Sequence, residues 1–131
     1  MIVIDTSALA SRLLPSATSA AVAARVKGRR LLAPSVVDPE FAGVPRGLAK
    51  ASKLSPAEAE GALRKVSTGG IPIGRIMQEP LTPRVWELRH NCSPHDAVYV
   101  AAAEQWNAPL PTCDAKFTRT PGLRCEADLV T

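Results

Sequence analysis

The sequence has little of what a cross-linked or metal-stapled fold requires. Cys92, Cys113 and Cys125 are odd in number, with no Cys-x-x-Cys pair and no Cys/His spacing. That excludes a disulfide framework and a structural zinc site, and points to a reducing compartment, the cytoplasm. Aromatic residues make up only 4% of the chain, so a core has to be built from Ala, Val, Leu and Ile. No uncharged apolar stretch approaches the ~20 residues that span a bilayer, and Met1-Ile2-Val3-Ile4-Asp5 lacks the basic lead-in of a secretory leader. Phosphate loops of the Gly-x-Gly-x-x-Gly and Gly-x-x-x-x-Gly-Lys-Ser/Thr kinds are missing, as are Gly-x-Ser-x-Gly and His-Glu-x-x-His. What these absences leave is one soluble domain over residues 1–131, long enough to fold on its own core.

Charge is modestly one-sided. Sixteen Lys and Arg against twelve Asp and Glu give +4, a balance compatible with a polyanionic partner, and Lys27-Gly28-Arg29-Arg30 is the one tight basic run. Along the chain, short apolar runs alternate with helical segments. Ile2-Val3-Ile4 reads as a buried strand that feeds a short helix ending before Pro15. Thr18–Lys27 is predicted helical with Gly28 as its stop, and Leu31–Ala33 as a second strand. A helix over 36–50 is expected to begin with Asp38 as cap and Pro39 at its first position. Ser55-Pro56-x-Glu58 and Ser93-Pro94-x-Asp96 are two further helix entrances. Strands are expected within Ile71–Ile76, Leu110–Cys113 and Leu123–Ala127. The Ala- and Val-rich helix from Ala97 to Trp106 is apolar nearly all round, which predicts burial. Strands alternating with helices predict an α/β fold, a parallel sheet with helices on both faces.

In such sheets ligands bind beyond the carboxyl ends of the strands. Asp5 and Asp114 follow apolar runs there, and Glu40 and Asp96 fall in first helical turns that open toward the same edge. Four acids gathered in one place repel one another and raise one another's pKa. A hard divalent cation relieves that repulsion, and such an ion on oxygen ligands is suited to phosphodiester hydrolysis. Each acid also has a plain structural reading, as helix cap, helix-dipole partner or turn residue. Thr6, Ser7 and Thr112 beside them are either carboxylate-orienting hydroxyls or caps. A phosphoacceptor receiver domain is disfavoured, since paired acids near the first strand are missing.

Four segments carry a family likeness. Val3-Ile4-Asp5-Thr6-Ser7-Ala8, Ala33-Pro34-Ser35-Val36-Val37-Asp38-Pro39-Glu40, Ser93-Pro94-His95-Asp96-Ala97-Val98-Tyr99 and Leu110-Pro111-Thr112-Cys113-Asp114-Ala115-Lys116-Phe117 resemble, in order and separation, the PIN domain. More narrowly the chain is similar to VapC ribonuclease toxins of bacterial VapBC toxin–antitoxin modules, in the mycobacterial style. The resemblance implies a single PIN-like domain over residues 1–131: a three-layer sandwich with a central, mostly parallel sheet flanked by helices. It implies an endoribonuclease dependent on Mg²⁺, with Mn²⁺ as substitute. Asp5, Glu40, Asp96 and Asp114 would be catalytic residues and metal ligands, with Ser7 and Thr112 supporting the pocket. It also implies a homodimer, neutralisation by a VapB-type antitoxin, tRNA or rRNA as substrate, and no membrane. The alternative is a PIN-like module that binds RNA or protein without cutting. Pro39, Pro45, His95 and Pro111 depart from the family pattern, and none of them removes a carboxylate.

Overall fold

The computed structural model describes residues 1–131. Five short strands, β1 (Ile2–Val3), β2 (Leu31–Pro34), β3 (Ile73–Ile76), β4 (Leu110–Thr112) and β5 (Ala127–Leu129), form two parallel pieces, β1-β2-β3 and β4-β5. The two pieces meet where the Val3 N–H donates to the Pro109 carbonyl at 3.1 Å, so the order across the molecule is β3-β2-β1-β4-β5. Pro111 explains the break. Leu110 and Thr112 turn their backbone groups to β5, and the intervening residue, which faces β1, has no N–H to give.

Seven helices surround this sheet: α1 (Thr6–Leu13), α2 (Ser19–Val26), α3 (Val37–Lys50), α4 (Pro56–Ser67), α5 (Thr82–Glu87), α6 (Pro94–Gln105) and α7 (Lys116–Arg119). A single 3₁₀ turn at Glu79–Leu81 leads into α5. Helices α1 to α4 pack on one another, while α5 and α6 form the other layer, with α6 against β1, β2 and β4. The all-round apolar character of α6 is thereby explained: Ala97, Tyr99, Val100, Ala101, Ala102 and Ala103 are all buried. The three-layer α/β sandwich with a mostly parallel sheet is the observed fold.

Local expectations hold where a side chain caps its own helix. Ser55 and Glu58 close a reciprocal capping box at 3.1 Å each way, Ser93 Oγ accepts the Asp96 N–H at 3.2 Å, and Asp5 caps α1. Asp38 is a correction: α3 begins at Val37 with no side-chain cap, and the Asp38 carboxylate instead takes Arg75 Nη2 and Nε at 2.7 and 3.2 Å. The last strand also lies later than Leu123–Ala127. Residues 121–124 are drawn off the ladder, because Asn91 Nδ2 donates to the Pro121 carbonyl and the Arg124 N–H goes to Glu104 Oε1. Likewise β3 starts only at Ile73, since the Ile71 N–H donates to the Lys65 carbonyl and Pro72 has none.

Glu104, near the end of α6, ties this second layer together. Its carboxylate accepts Arg84 Nε and Nη2 at 2.7 and 3.1 Å besides the Arg124 N–H at 2.8 Å, and it is 11% exposed. Burial pushes its pKa up, but these three donors outweigh burial and hold it below the ordinary value of 4.5. Glu104→Ala is expected to cost about 2 kcal/mol, lowering Tm by roughly 5–10 °C in thermal unfolding. With a depressed carboxyl, the stability it supplies is complete above pH 4.5 and lost as pH falls through the folded-state value. Glu104→Gln should therefore flatten the acid limb of the stability curve and leave its alkaline limb unchanged.

Candidate active site

The carboxyl ends of β1 and β4 set the floor of the site. β1 delivers Asp5 into the start of α1, where its backbone is extended and its Oδ1 accepts the Ala8 N–H at 2.8 Å. Only 3% of Asp5 is exposed, so each remaining lone pair needs a donor, and two hydroxyls supply them. Thr112 Oγ1 donates to Oδ2 at 2.6 Å, and Ser7 Oγ reaches both carboxylate oxygens, at 2.8 and 2.9 Å. Those hydroxyls are aimed by the backbone of the segment after β4. The Cys113 N–H donates to Ser7 Oγ at 2.9 Å and the Asp114 N–H to Thr112 Oγ1 at 3.0 Å, which leaves each hydroxyl proton for Asp5. Ser7 and Thr112 thus hold the carboxylate as well as joining α1 to β4. Burial raises the Asp5 pKa. The Thr112, Ala8 and Ser7 donors oppose that rise without cancelling it, and the Asp114 charge adds to it.

Glu40 comes from the first turn of α3 and faces α1 and α6. Its Oε1 accepts Tyr99 Oη at 2.6 Å and Thr6 Oγ1 at 2.9 Å, and its Oε2 lies 3.2 Å from His95 Nδ1. Burial, with the Glu40 hydrogen bond added, pushes the Tyr99 phenol far above its usual range, so Tyr99 remains a donor throughout the neutral range. Asp96 enters from the first turn of α6, and Asp114 from the turn before α7. The Lys116 ammonium lies between them, 3.1 Å from Asp96 Oδ2 and 3.1 Å from Asp114 Oδ2. Burial raises the Asp114 carboxyl, but the Lys116 N–H at 3.0 Å and the Lys116 ammonium together bring it below its ordinary value.

Asp5, Glu40, Asp96 and Asp114 therefore line one crevice of about 300 Å³ with Thr6, Ser7, Tyr99 and Lys116. The carboxylates do not close on one another as a preformed cage of three or more ligands. The fit to a hard divalent cation rests on two observations. Every donor is an oxygen, as Mg²⁺ and Mn²⁺ prefer, and the space between Asp96 and Asp114 already takes a cation, the ammonium of Lys116.

The departures from pattern do not displace the acids. Pro39 sits in the first turn of α3, Pro45 is buried within that helix, and His95 is exposed beside Glu40. Tyr99 and Lys116 are the site residues least visible in the sequence. A signal existed for Tyr99, which lies three residues after Asp96 and so on the same helix face; its hydroxyl is a polar tip amid the Ala and Val residues of 97–103.

Comparison with known proteins agrees with this fold. Residues 2–123 match the PIN domain, and the chain belongs to the PIN-domain family. Within that family it stands with the VapC-type members. It is 35% identical over 130 residues to the protein named ribonuclease VapC12 of Mycobacterium tuberculosis, covering 99% of each chain. Ribonuclease VapC9 of the same species is 34% identical over 133 residues, covering 99% of this chain and 98% of the relative. Among solved structures, the fold superposes on Mycobacterium tuberculosis VapC20, described as a sarcin-ricin loop cleaving toxin, with a TM-score of 0.69 at 16% identity over 97% of this chain and all of that one. It also superposes on a chain of Rickettsia felis VapBC2, described as bound to a DNA fragment from its promoter, with a TM-score of 0.63 at 22% identity over 96% and 98%. None of the helices is long and apolar enough to cross a membrane.

Proposed function

We propose that the chain is a metal-dependent endoribonuclease of the VapC toxin kind, hydrolysing RNA phosphodiester bonds. The observation that carries this reading is the meeting of Asp5, Glu40, Asp96 and Asp114, from four separate parts of the chain, in one crevice at the carboxyl edge of the sheet. Asp5, Asp96 and Asp114 would hold Mg²⁺ or Mn²⁺, with Glu40 at the opposite wall. When bound, such an ion supplies charge for the phosphoryl oxygens and acidity for a coordinated water. The protein's own contributions are fixed by its hydrogen bonds. Ser7 and Thr112 keep Asp5 oriented and its buried oxygens satisfied. Tyr99 and Thr6 occupy Glu40 Oε1, which leaves Oε2, beside His95, to accept a proton or position a water.

Lys116 is the one cation within the acid crevice. Were Asp96 and Asp114 to hold a metal ion, the Lys116 ammonium would give up their carboxylates, and its side chain, 51% exposed, would be free to turn to a substrate phosphate. Lys116→Met is expected to tighten Mn²⁺ binding about fivefold in calorimetric titration. That corresponds to two solvent-screened pairs worth about 1 kcal/mol together.

The partners belong to the same proposal. A VapB-type antitoxin would neutralise the enzyme, a second copy of the chain would complete a homodimer, and a structured RNA of the tRNA or rRNA class would be cut; the support is the family and the VapBC assembly among its structural neighbours. The test is cleavage of total bacterial RNA by purified protein. Cutting is expected with Mg²⁺ or Mn²⁺ and absent with chelator. RNA binding without cutting under every metal condition would replace this reading with that of a non-cleaving module.

A further inference from the structure

The molecule carries a cavity more spacious than the acid crevice. A cavity of about 550 Å³ opens at the other end of the sheet, where β2 and β3 begin, and it is lined by Arg12, Arg29, Arg30 and Arg75 over a floor that includes Val26 and Ile73. No Asp or Glu lines it. Arg75 is fully engaged: besides the Asp38 carboxylate, its Nη1 donates to the Ile73 carbonyl at 2.8 Å and its Nη2 to the Val66 carbonyl at 3.0 Å. Arg12, Arg29 and Arg30 enter no ion pair. Their backbones are nonetheless fixed. Gly28, at φ +67°, turns the chain out of α2, the Arg29 N–H donates to the Val26 carbonyl, and the Arg30 carbonyl accepts the Ile2 N–H at the head of the sheet. Arg12 stands in the last turn of α1, the helix whose other end is capped by Asp5 in the crevice, about 10 Å away along the axis.

We infer that this arginine cavity binds the phosphate backbone of a structured RNA at a point distant from the bond being cut. The inference rests on the ribonuclease reading and supplies something that reading needs. A crevice of four carboxylates repels the polyanion it is to cleave, so the attraction that brings RNA to the protein has to come from cations outside the crevice. Three unpaired guanidinium groups in one cavity meet that need, and their forked donors suit phosphate oxygens. The basic run Lys27-Gly28-Arg29-Arg30 thereby acquires a role that α2 and β2 alone do not require.

The experiment measures binding of a fluorescein-labelled RNA stem-loop in chelator, where nothing is cut, across a range of salt, for wild type, R12Q/R29Q/R30Q and R12K/R29K/R30K. With three phosphate contacts removed, the Gln variant is expected to bind about tenfold or more weakly at low salt, and its log–log salt slope to fall by about 2 to 3. The Lys variant, retaining the charges, should keep the wild-type slope, which separates loss of contact from damage to the fold. With metal present, KM for the stem-loop should rise in the Gln variant while kcat at saturation stays the same. Unchanged binding and slope in the Gln variant would overturn the inference while leaving the nuclease reading intact. Weakened binding in the Gln variant, with no RNA cut by wild type in any metal, would instead remove the nuclease reading and leave the cavity as an RNA site. Loss of binding to a poly-glutamate peptide but not to RNA would assign the cavity to an acidic protein segment and overturn the inference.

Discussion

Asp96→Asn is expected to lower RNA cleavage by roughly 10³-fold, the scale on which removing one electrostatic element of a catalytic site reduces turnover. The fold should be spared. Asp96 meets the rest of the helix entrance through its backbone N–H, accepted by Ser93 Oγ, and that bond does not depend on the side chain. Its carboxylate makes a single contact, with a half-exposed ammonium, so the metal-free variant should stay within about 1 kcal/mol of wild type. An isosteric amide keeps one acceptor oxygen but no charge, and Mn²⁺ binding should weaken together with activity. A variant that cuts RNA at the wild-type rate would remove Asp96 from the site. A variant that loses activity only because it unfolds would show a large fall in Tm, which this geometry does not predict.

Asp5→Asn should lose cleavage on the same scale, with a different stability signature. Burial raises the Asp5 pKa even though two hydroxyls and one N–H point at the carboxylate. A carboxyl raised in the folded state contributes stability that is fully present below its unfolded value of 3.8 and lost as pH rises through the folded value. At higher pH the metal-free wild type therefore carries the cost of holding the Asp5 carboxyl in this buried place. Asn is uncharged at every pH, caps a helix as well as Asp does, and can reverse the Thr112 hydrogen bond by donating to Oγ1. The metal-free variant is expected to unfold at a higher temperature than wild type at pH 8, with the difference vanishing near pH 4. Added Mg²⁺ should raise the Tm of wild type and leave that of Asp5→Asn unmoved. Equal thermal response to Mg²⁺ in both proteins would contradict the role given to Asp5.

Much of this site is legible in the residues themselves. Asp5 after Ile2-Val3-Ile4, and Asp96 in Ser-Pro-x-Asp, stand where strand ends and helix entrances must place them, and those rules are local. Glu40 is harder to place from sequence, because α3 starts without a side-chain cap and Asp38, which has the right type for one, is drawn away by Arg75 from another strand. The late start of β5 is hidden for a similar reason: Asn91 and Glu104 capture the backbone of Pro121 and Arg124 from distant elements. Tyr99 and Lys116 mark the same boundary. The sequence places one on an apolar helix and the other two residues after Asp114, while the contacts of Tyr99 with Glu40 and of Lys116 with Asp96 exist only once separate elements have packed. Local chemistry writes the acids into the chain, with Ser7 beside Asp5 and Lys116 beside Asp114; the bonds from Thr112, Tyr99 and Thr6, and the reach of Lys116 to Asp96, come from tertiary assembly.

The most direct measurement is a calorimetric titration of Mn²⁺ into chelator-stripped protein, compared among wild type, Asp5→Asn and Asp96→Asn. Saturable binding in wild type, abolished or weakened at least tenfold in both variants, is the predicted result, because Asp5 on β1 and Asp96 on α6 would then serve the same ion. Saturable binding of equal strength in all three proteins, or none in wild type at millimolar Mn²⁺, would contradict it.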